Sequence, residues 1–503
     1  MRALFALLAL LAASACADGA RPSLLRRRVA VPRAQPRGDS MAAEAPLSST
    51  PPRATVVALS VALLASVQFG FGLSVLNAPQ EAICASLAIG SNSASWAALV
   101  SVFAPAGLVG ANSASGLLRR LGPSGAVTRT AYWFALGGML QFAAASADKA
   151  GGFWLLLLGR VAIGIGAGIA TVAVPVFCGD LASLSQRGSF GCLNQIGCVL
   201  GIFLAQLLGL GLSTEAKWRW LLGLPTLLAG LQLLGAPLLV QSVPRLVAAG
   251  LLNEARELLR RIRPASTSKS QLEGELRAMK EEAREASRKG GTSASAFEAA
   301  RTSRPVARAL KLGVLLMLCQ QLSGMNAVFF YSTSIFKTAG LASPAVGTLV
   351  CGIVNILATV AGMVLSDRAG RRPLLLVAMG GMIASALALT ALLSAGATGP
   401  LLVAVVCVSI SFFGIGLGGI PWAIGTEIFA PAVRPSGMAL CATVNWTATA
   451  LVGLLFPLMQ RQLGTFCFLP FVGCLAVGFL LVNAELPETR GKTIAQVQAA
   501  LNR

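Results

Sequence analysis

The 503-residue sequence contains no histidine and only nineteen acidic residues, and its charged residues together make up 12% of the chain. Since about a quarter of an average soluble domain is charged, this low proportion excludes a water-soluble protein of ordinary surface. The eleven cysteines include no Cys-x-x-Cys pair, so a zinc site of familiar spacing and a disulfide framework are also excluded. No nucleophile–base pair or phosphate-binding glycine loop is recognisable. We therefore expect neither an enzyme nor a cofactor.

Apolar residues are abundant instead: 55% of the chain is hydrophobic and the mean hydropathy is +0.74. A helix that crosses a bilayer needs about 20 mostly apolar residues, and twelve segments meet this requirement. They lie near 54–75, 94–118, 126–146, 152–176, 190–212, 219–241, 308–332, 345–366, 373–394, 401–424, 436–458 and 465–485. The sequence thus predicts an all-α membrane protein with twelve transmembrane helices, numbered here as spans 1 to 12.

The net charge of +21 is concentrated outside these segments. Residues 1–53 contain eight Lys/Arg against three acids, and residues 245–311 contain fifteen against eight. Lys and Arg favour the cytoplasmic side of a membrane, and they concentrate in loops on the same side as the N-terminus. We therefore expect both termini in the cytoplasm, with the lipid bilayer and not nucleic acid as the surroundings.

Residues 1–53 contain a targeting signal. Arg2, the apolar run Ala3–Ala13 and the small residues Ala15-Cys16-Ala17 are typical of a secretory signal peptide. The following stretch is rich in Arg, Pro and Ser, so it is expected to be disordered. Together they form either a signal peptide with a basic tail or a two-part organelle address. Cleavage in the lumen conflicts with a cytoplasmic N-terminus, unless residues 1–53 belong to an organelle route. The plasma membrane is the expected location, and an organelle (plastid-type) envelope stays open because of this extension.

The chain divides into two halves of six spans. A polar segment, residues 242–307, separates spans 6 and 7 and has helical charge spacing. In each half an acid follows the fourth span and an arginine stands seven residues later, Asp180 with Arg187 and Glu427 with Arg434, which indicates a duplication. The predicted domains are an extension (1–53), an N-terminal bundle (54–241), a cytoplasmic helical linker (242–307), a C-terminal bundle (308–486) and a tail (487–503).

Several strings resemble the sugar porter family of the major facilitator superfamily, and within it the facilitative glucose transporters. The most specific is the string from Gln320-Gln321-Leu322-Ser323-Gly324-Met325-Asn326 to Phe336 in span 7. Others are Asp367-Arg368-Ala369-Gly370-Arg371-Arg372, Asn194-Gln195 in span 5, Ile420-Pro421-Trp422 in span 10, Asn445-Trp446-Thr447 in span 11 and Pro487-Glu488-Thr489. The resemblance extends from about Val56 to the C-terminus. It implies the major facilitator fold and facilitated diffusion of a hexose, with glucose as the expected sugar.

The resemblance also implies a set of hexose ligands. Recognising a ring of hydroxyls requires neutral amides, which both donate and accept, and an aromatic plane. The candidate ligands are Gln195, Gln320, Gln321, Asn326, Asn355 and Trp422, joined by Asn445 and Thr449 of span 11. Buried amides also form hydrogen bonds between membrane helices, which is the structural alternative for each. Gln320 and Asn326 lie on different helix faces, so we expect a bend at Gly324 between them.

Two positions depart from the family. Gly414 stands where the glucose facilitators have a glutamate in span 10, and Thr449 stands where they have a second asparagine in span 11. The first change removes an acceptor for sugar hydroxyls. Leu322-Ser323 and Trp422 agree with the family pattern, which favours an aldohexose over fructose.

A set of charged residues at the cytoplasmic ends of the spans forms the expected inner gate. Its members are Asp180, Arg187, Asp367, Arg368, Arg371, Arg372, Glu427, Arg434 and Glu488. Retention of positive charge on the inner side is the simpler explanation for the arginines. In the N-terminal half the family's glutamate after span 6 is replaced by Ser242, which predicts a weaker latch there.

Proton coupling requires a group that titrates inside the membrane. All nineteen acids lie in tails, loops or span ends, and Gly72 occupies the position where proton-coupled sugar porters have an aspartate. Facilitated diffusion is therefore preferred to a proton-coupled hexose symporter. A transporter-like sugar receptor is the third alternative, which the short tail disfavours. A sugar and the bilayer are the expected partners; a monomer is sufficient and no obligate protein partner is implied.

Overall fold

The computed structural model describes residues 52–90, 93–182, 187–288, 296–338, 340, 343–429, 433–492 and 494–502. Within these ranges it contains helices and no strand. The predicted signal peptide and the basic extension up to Pro51 lie outside the described residues. The fold is the major facilitator fold, with two pseudo-symmetric six-helix bundles and a helical linker between them.

The spans correspond to the following helices: Arg53–Ser74; Ala94–Ser101 with Phe103–Ala144, which together hold spans 2 and 3; Lys149–Leu181; Arg187–Leu212; Trp218–Gly235; Arg304–Gln321 with Met325–Thr338 (span 7); Pro344–Ala369; Arg371–Ser394; Pro400–Phe412, Phe413–Leu417 and Ile420–Ile428 (span 10); Arg434–Leu463; and Leu469–Glu485. The remaining helices are Gln80–Leu87 after span 1, the 3-10 helices Ala236–Leu238 after span 6 and Gly464–Phe466 before span 12, the linker helices Val243–Ala248, Leu252–Ile262, Lys269–Arg288 and Ala296–Thr302, and the C-terminal helix Ile494–Asn502. We call the side of the bundles that carries the linker the linker end, and the other side the opposite end.

Ten helices among the described residues are long and apolar enough to cross a membrane, and up to eleven if the bent pair Leu458–Phe466 and Leu469–Glu485 forms one span. One of the ten, Ala94–Ala144, has 51 residues, which corresponds to about 75 Å of helix. That length is more than twice the ~30 Å hydrocarbon core of a bilayer. It is interrupted at Gly122, whose φ of 75° and ψ of 174° are not helical. Counted as two spans, it brings the total to the expected twelve.

Large apolar side chains cover the outside of the bundles. Leu234, Leu357 and Leu480 are 78%, 65% and 66% exposed. Such a surface is unfavourable in water, and it is the surface that a bilayer stabilises. The molecule is therefore a multi-pass membrane protein.

Glycines allow the spans of one bundle to approach closely. A Cβ atom on Gly70 in span 1 would lie 1.8 Å from the carbonyl oxygen of Cys198 in span 5. In the same helix pair, a Cβ on Gly201 would lie 1.9 Å from the carbonyl oxygen of Val67. Only glycine fits at these two positions, as expected for membrane helices that pack backbone to backbone.

The two halves share a motif at the linker end. A glycine with positive φ separates spans 2 and 3 (Gly122, φ 75°) and spans 8 and 9 (Gly370, φ 97°). In the first half Arg245 donates to the carbonyl oxygen of Arg120 at 3.0 Å. In the second half Arg490 donates to the carbonyl oxygen of Arg368. Each arginine follows the sixth span of its half, and each carbonyl stands two residues before the glycine, so the contact is repeated with the duplication.

The linker binds to the N-terminal bundle through Arg263. This buried guanidinium donates to the carbonyl oxygens of Leu181 (2.6 Å) and Ala182 (3.3 Å) at the end of span 4. It also forms an ion pair with Glu275 of the linker at 2.6 Å. The helix end at span 4 thus receives donors that its own backbone lacks, and the linker is fixed against the bundle.

Candidate functional site

Span 7 is broken at its centre. Its first helix ends at Gln321, its second begins at Met325, and Gly324 between them has a φ of 79°. This backbone conformation is accessible to glycine and strained for other residues. The break turns the start of the second helix, so the amide of Asn326 reaches the side chain of Gln321 and donates to its Oε1. This is the bend that the sequence predicted.

Four amides of spans 7 and 11 form a hydrogen-bonded chain beside this break. Gln321 Nε2 donates to Asn445 Oδ1 at 2.9 Å, and Asn445 Nδ2 donates to Gln320 Oε1 at 2.7 Å. Gln320 Nε2 then donates to the carbonyl oxygens of Leu417 at 2.7 Å and Gly418 at 2.9 Å in span 10. The chain therefore joins three spans of the C-terminal half. An amide nitrogen has two hydrogens and an amide oxygen two lone pairs. Gln320 uses both hydrogens on span 10, so a ligand would bind mainly at the amide oxygens of Gln321 and Asn445 and at Asn326, the end of the chain.

These amides line a cavity of about 60 Å³ between the two halves. This is well below the roughly 300–1,000 Å³ of an open ligand pocket, so the site is nearly closed in this state. Seven of the eight predicted ligands line it: Gln195, Gln320, Gln321, Asn326, Trp422, Asn445 and Thr449. The lining carries no charged side chain.

Aromatic side chains form much of the remaining wall, and the sequence analysis had singled out only Trp422 among them. Trp446 of span 11 donates from Nε1 to Thr171 Oγ1 of span 4 at 3.1 Å. Its ring lies 5.5 Å from that of Phe69, centroid to centroid. Trp446 stands inside the string Asn445-Trp446-Thr447 quoted for the family resemblance, which is the signal that could have identified it. The rest of the lining that was not predicted is Leu73, Asn194, Cys198, Ile202, Phe329 and Phe413.

Asn355 is the predicted ligand that does not line this cavity. It is fully buried in span 8, and neither atom of its amide has a hydrogen-bond partner within the described protein. One turn earlier, Gly352 packs against Gln206 of span 5, whose Oε1 would lie 2.2 Å from a Cβ at that position. Asn355 thus lies in span 8 near the contact between the halves.

Gly414 lies in a π-helical turn of span 10, Phe413–Leu417. A Cβ there would lie 2.8 Å from the Cβ of Ala358 and 3.0 Å from the backbone nitrogen of Thr359 in span 8. The departure from the family's glutamate therefore coincides with a close approach of spans 8 and 10. A glutamate side chain does not fit this packing.

Arg160 of span 4 is a fully buried cation on the N-terminal side of the cavity, 1% exposed. It donates to the carbonyl oxygens of Gly72 (2.6 Å) and Leu99 (3.2 Å), and its guanidinium lies 4.7 Å from the ring centroid of Phe103. All three partners are neutral. Gly72 is the position at which proton-coupled porters have an aspartate, so here a carbonyl oxygen takes the place of a carboxylate.

The two halves touch on both sides of the cavity. Toward the opposite end, Asn77 donates to the carbonyl oxygen of Phe329 at 3.4 Å, and Lys337 forms an ion pair with Glu81. Toward the linker end, Thr443 Oγ1 donates to Asn112 Oδ1 at 2.8 Å. Both pathways to the cavity are therefore bridged in this state.

Glu488 organises the charged residues at the linker end of the C-terminal half. Its carboxylate accepts from the backbone N–H groups of Arg371 (3.0 Å), Arg372 (3.1 Å), Thr489 (2.9 Å) and Arg490 (2.8 Å). Burial acts to raise the pKa of Glu488, but the four donors outweigh it and hold the pKa below the usual value. The carboxylate thus stays ionised at the start of span 9.

Arg371 and Arg372 have different partners. Arg371 forms an ion pair with Glu427 of span 10 at 3.2 Å, and Arg372 donates to the carbonyl oxygen of Asn483 at 2.7 Å. In the N-terminal half Ser242 donates to Asp180, so a hydroxyl occupies the place expected for a glutamate. The latch predicted to be weak is supplemented there by Arg263 of the linker.

Of the remaining predicted gate residues, Arg368 has an exposed side chain and contributes the carbonyl described above. Arg434 begins span 11. The side chains of Arg187 and Asp367 lie outside the described part of the structure.

The sequence matches the sugar (and other) transporter family over residues 57–501. The facilitated glucose transporter member 4 of solute carrier family 2 from Homo sapiens is 36% identical over 471 residues, which cover 89% of this chain and 91% of that protein. Member 3 of the same family from Canis lupus familiaris is 34% identical over 466 residues, covering 88% and 92% of the two chains.

Solved structures show the same fold. The proton:xylose symporter XylE bound to 6-bromo-6-deoxy-D-glucose superimposes with a TM-score of 0.76 at 21% identity, covering 88% of this chain and 98% of that one. Its inward-open form from E. coli gives a TM-score of 0.70 with the same coverage. With its amide-lined cavity between two helical bundles, this chain belongs to the sugar transporter family and is a membrane protein that transports sugar, not an enzyme.

Proposed function

We propose that this protein moves glucose or a closely related aldohexose across the membrane by facilitated diffusion. The observation that carries the proposal is the uncharged cavity, in which the amides of Gln320, Gln321, Asn326 and Asn445 lie in one hydrogen-bonded chain. A hexose presents several hydroxyls that each donate and accept. Amides match both roles without a charge that would bind an anion or a cation in preference.

The aromatic wall supports a sugar ring as ligand. Trp422 of span 10 and Trp446 of span 11 also line the cavity. Their indole rings are apolar, in contrast to the amides. A pyranose has weakly apolar faces formed by C–H groups, which pack favourably on an indole ring. Polar edges and apolar faces of the sugar therefore each have a matching surface.

The environment of Arg160 favours facilitated diffusion over proton symport. A symporter needs a group that gains and loses a proton inside the membrane, and an arginine stays protonated. No Asp or Glu side chain is fully buried among the described residues. With a carbonyl of Gly72 in contact with Arg160, the position of the usual proton carrier holds no titratable side chain.

The contacts between halves support alternating access. The pair Asn77–Phe329 and the pair Asn112–Thr443 lie on opposite sides of the cavity. Breaking one set while keeping the other opens the cavity to one side only. Such an exchange between two states needs no energy source beyond the sugar gradient.

The named relatives agree with this proposal. The curated proteins that match over about nine-tenths of both chains are called facilitated glucose transporters. The symporter XylE is 21% identical and supports the fold alone.

Purified protein in liposomes tests the proposal. Vesicles loaded with unlabelled D-glucose should take up labelled D-glucose by counterflow, and unlabelled D-glucose outside should compete better than D-fructose. Preference for fructose would overturn the choice of sugar, and binding without any counterflow would indicate a receptor.

We also propose the wider arrangement of the chain. The bundles are residues 54–241 and 308–486, with linker 242–307 and tail 487–503 in the cytoplasm, a monomer as the working unit and the plasma membrane as its location. Residues 1–53 carry the address, and an organelle envelope is the alternative. A fluorescent tag fused after residue 503, followed in cells with and without residues 1–53, distinguishes the two membranes.

A further inference from the structure

Two cysteines of different spans face each other in the C-terminal bundle. Cys351 of span 8 and Cys407 of span 10 have their Sγ atoms 3.7 Å apart. Cys351 is buried and Cys407 is half-buried. Each stands seven residues after the proline that begins its helix, Pro344 or Pro400, so both lie about 10 Å inside the opposite end.

The geometry suits a disulfide bond. A disulfide holds its sulfurs about 2.05 Å apart, so closure needs an approach of about 1.7 Å between atoms already in contact. Spans 8 and 10 run in the same direction, and the two residues have the same depth. The two cysteines therefore lie at the same level along their helices and face each other across the contact between spans 8 and 10.

The two cysteines lie in helices with different roles: span 8 contacts the N-terminal half, and span 10 contributes to the cavity wall. Next to Cys351, Gly352 packs against span 5 of the other half, with Gln206 Oε1 2.2 Å and a ring atom of Phe203 3.1 Å from an added Cβ. Downstream of Cys407, span 10 supplies Phe413 to the cavity. A bond between Cys351 and Cys407 would tie the helix that contacts the other half to a helix that forms the cavity wall.

We infer that Cys351 and Cys407 are a redox-sensitive dithiol whose oxidation fastens span 10 to span 8 and arrests sugar movement. The inference rests on sugar transport as such and does not depend on glucose being the sugar. Span 10 is interrupted between Phe412 and Ile420, so it can shift against span 8 within the C-terminal half as the halves exchange states, and the reduced cysteines leave that shift free. In the oxidised state they move as one unit, which blocks the relative motion of spans 8 and 10.

The reaction balances with a lipophilic diazene such as diamide as oxidant. The thiolate of one cysteine adds to the N=N bond, and the second thiol then displaces the nitrogen from the first sulfur. Two S–H bonds break and one S–S bond forms. Both electrons and both protons end on the diazene, which leaves as the hydrazine.

The test uses the full chain in liposomes treated with diamide. After alkylation of remaining thiols, mass spectrometry of the digested wild type should show the peptides of Cys351 and Cys407 joined, lighter by two hydrogens than their sum. Counterflow of the best-transported hexose should lose most of its rate and recover with dithiothreitol. Cys351→Ser and Cys407→Ser should transport normally and resist diamide, whereas the control Cys84→Ser should remain sensitive.

Three results would overturn the inference: no joined peptide in the oxidised wild type, a joined peptide with unchanged counterflow, or diamide inhibition that persists in both serine variants. The first two need no variant, so they decide the matter even if a serine variant folds poorly. Absence of glucose counterflow with normal counterflow of another hexose would contradict the proposed substrate and leave this inference standing.

Discussion

At the scale of single residues, Gln320 has the most connected position in the site. Its amide accepts from Asn445 and donates to two carbonyl oxygens of span 10. Loss of such an amide leaves several buried partners unsatisfied, and each unsatisfied group costs about 1–3 kcal/mol. Gln320 is also one of the proposed sugar ligands.

We therefore expect Gln320→Leu and Gln321→Leu to abolish hexose uptake while the protein still reaches the membrane. Uptake of labelled glucose and surface expression, measured together, check this outcome. Gln141→Leu is the matched control, because Gln141 is a buried glutamine of span 3 away from the cavity lining. Normal uptake in either span 7 variant would remove that residue from the site.

Gly414 is expected to be intolerant of side chains for a packing reason. Gly414→Val would force spans 8 and 10 apart, since Ala358 and Thr359 lie within 3.0 Å of an added Cβ. Overpacking typically costs about 1–3 kcal/mol, so the melting temperature of the purified protein should fall together with uptake. Gly473→Val, where no atom lies within 4 Å of the added Cβ, is the control. Equal melting temperatures for the two variants would contradict this packing.

The residue scale also shows where sequence reasoning stops. The roles of the span 7 amides and of Asn445 could be predicted from the sequence motif, because polar side chains at membrane depth are costly and therefore indicate a functional site. The position of Asn355 outside the cavity lining depends on how span 8 is rotated about its axis, which the motif does not contain. Trp446 was missed because tertiary packing against Phe69 and Phe103, not its own helix, places it in the wall.

At the scale of elements, the sequence predicted the positions of the spans, but it did not predict the contacts at their ends. Apolar length predicted the twelve segments, and the break of span 7 followed from Gly324. The contacts of Arg263 with the end of span 4 could not be predicted, because the two lie 82 residues apart in sequence. The contact of the Ser242 hydroxyl with Asp180 was also not predicted, and the weaker latch at this position stays a prediction.

Glu488 makes the stability of the start of span 9 depend on pH. Its pKa is lowered in the folded protein, so the ionised carboxylate stabilises the start of span 9 above the ordinary glutamate pKa of about 4.3. This stabilisation is lost as the pH falls through the lowered value. Thermal unfolding in detergent should therefore show a fall in melting temperature in acid.

Glu488→Gln is the test variant for this effect. It should be less stable than wild type at neutral pH, and the difference should shrink as the pH is lowered. Glu254→Gln, in an exposed part of the linker, is the control and should match wild type throughout. A constant difference between Glu488→Gln and wild type at every pH would contradict the role of the ionised carboxylate.

At the scale of the whole molecule, charge and apolarity are separated. Apart from Arg160, which is buried within span 4, the basic residues that give +21 lie at the ends of the bundles, in the linker and in the extension, and the cavity at the centre has no charged lining. Contacts between halves bridge both sides of that cavity. This separation supports the proposal that a neutral sugar moves down its gradient as the halves exchange contacts, without a coupled ion.

The most direct test of this account measures glucose accumulation in liposomes under an imposed pH gradient. Purified protein is reconstituted, the outside is made acidic relative to the inside, and internal labelled glucose is followed to its plateau together with internal pH. The account predicts a plateau equal to the external concentration, unchanged by the gradient, and no pH change on adding sugar. Accumulation above the external concentration, or sugar-driven proton movement, would contradict facilitated diffusion.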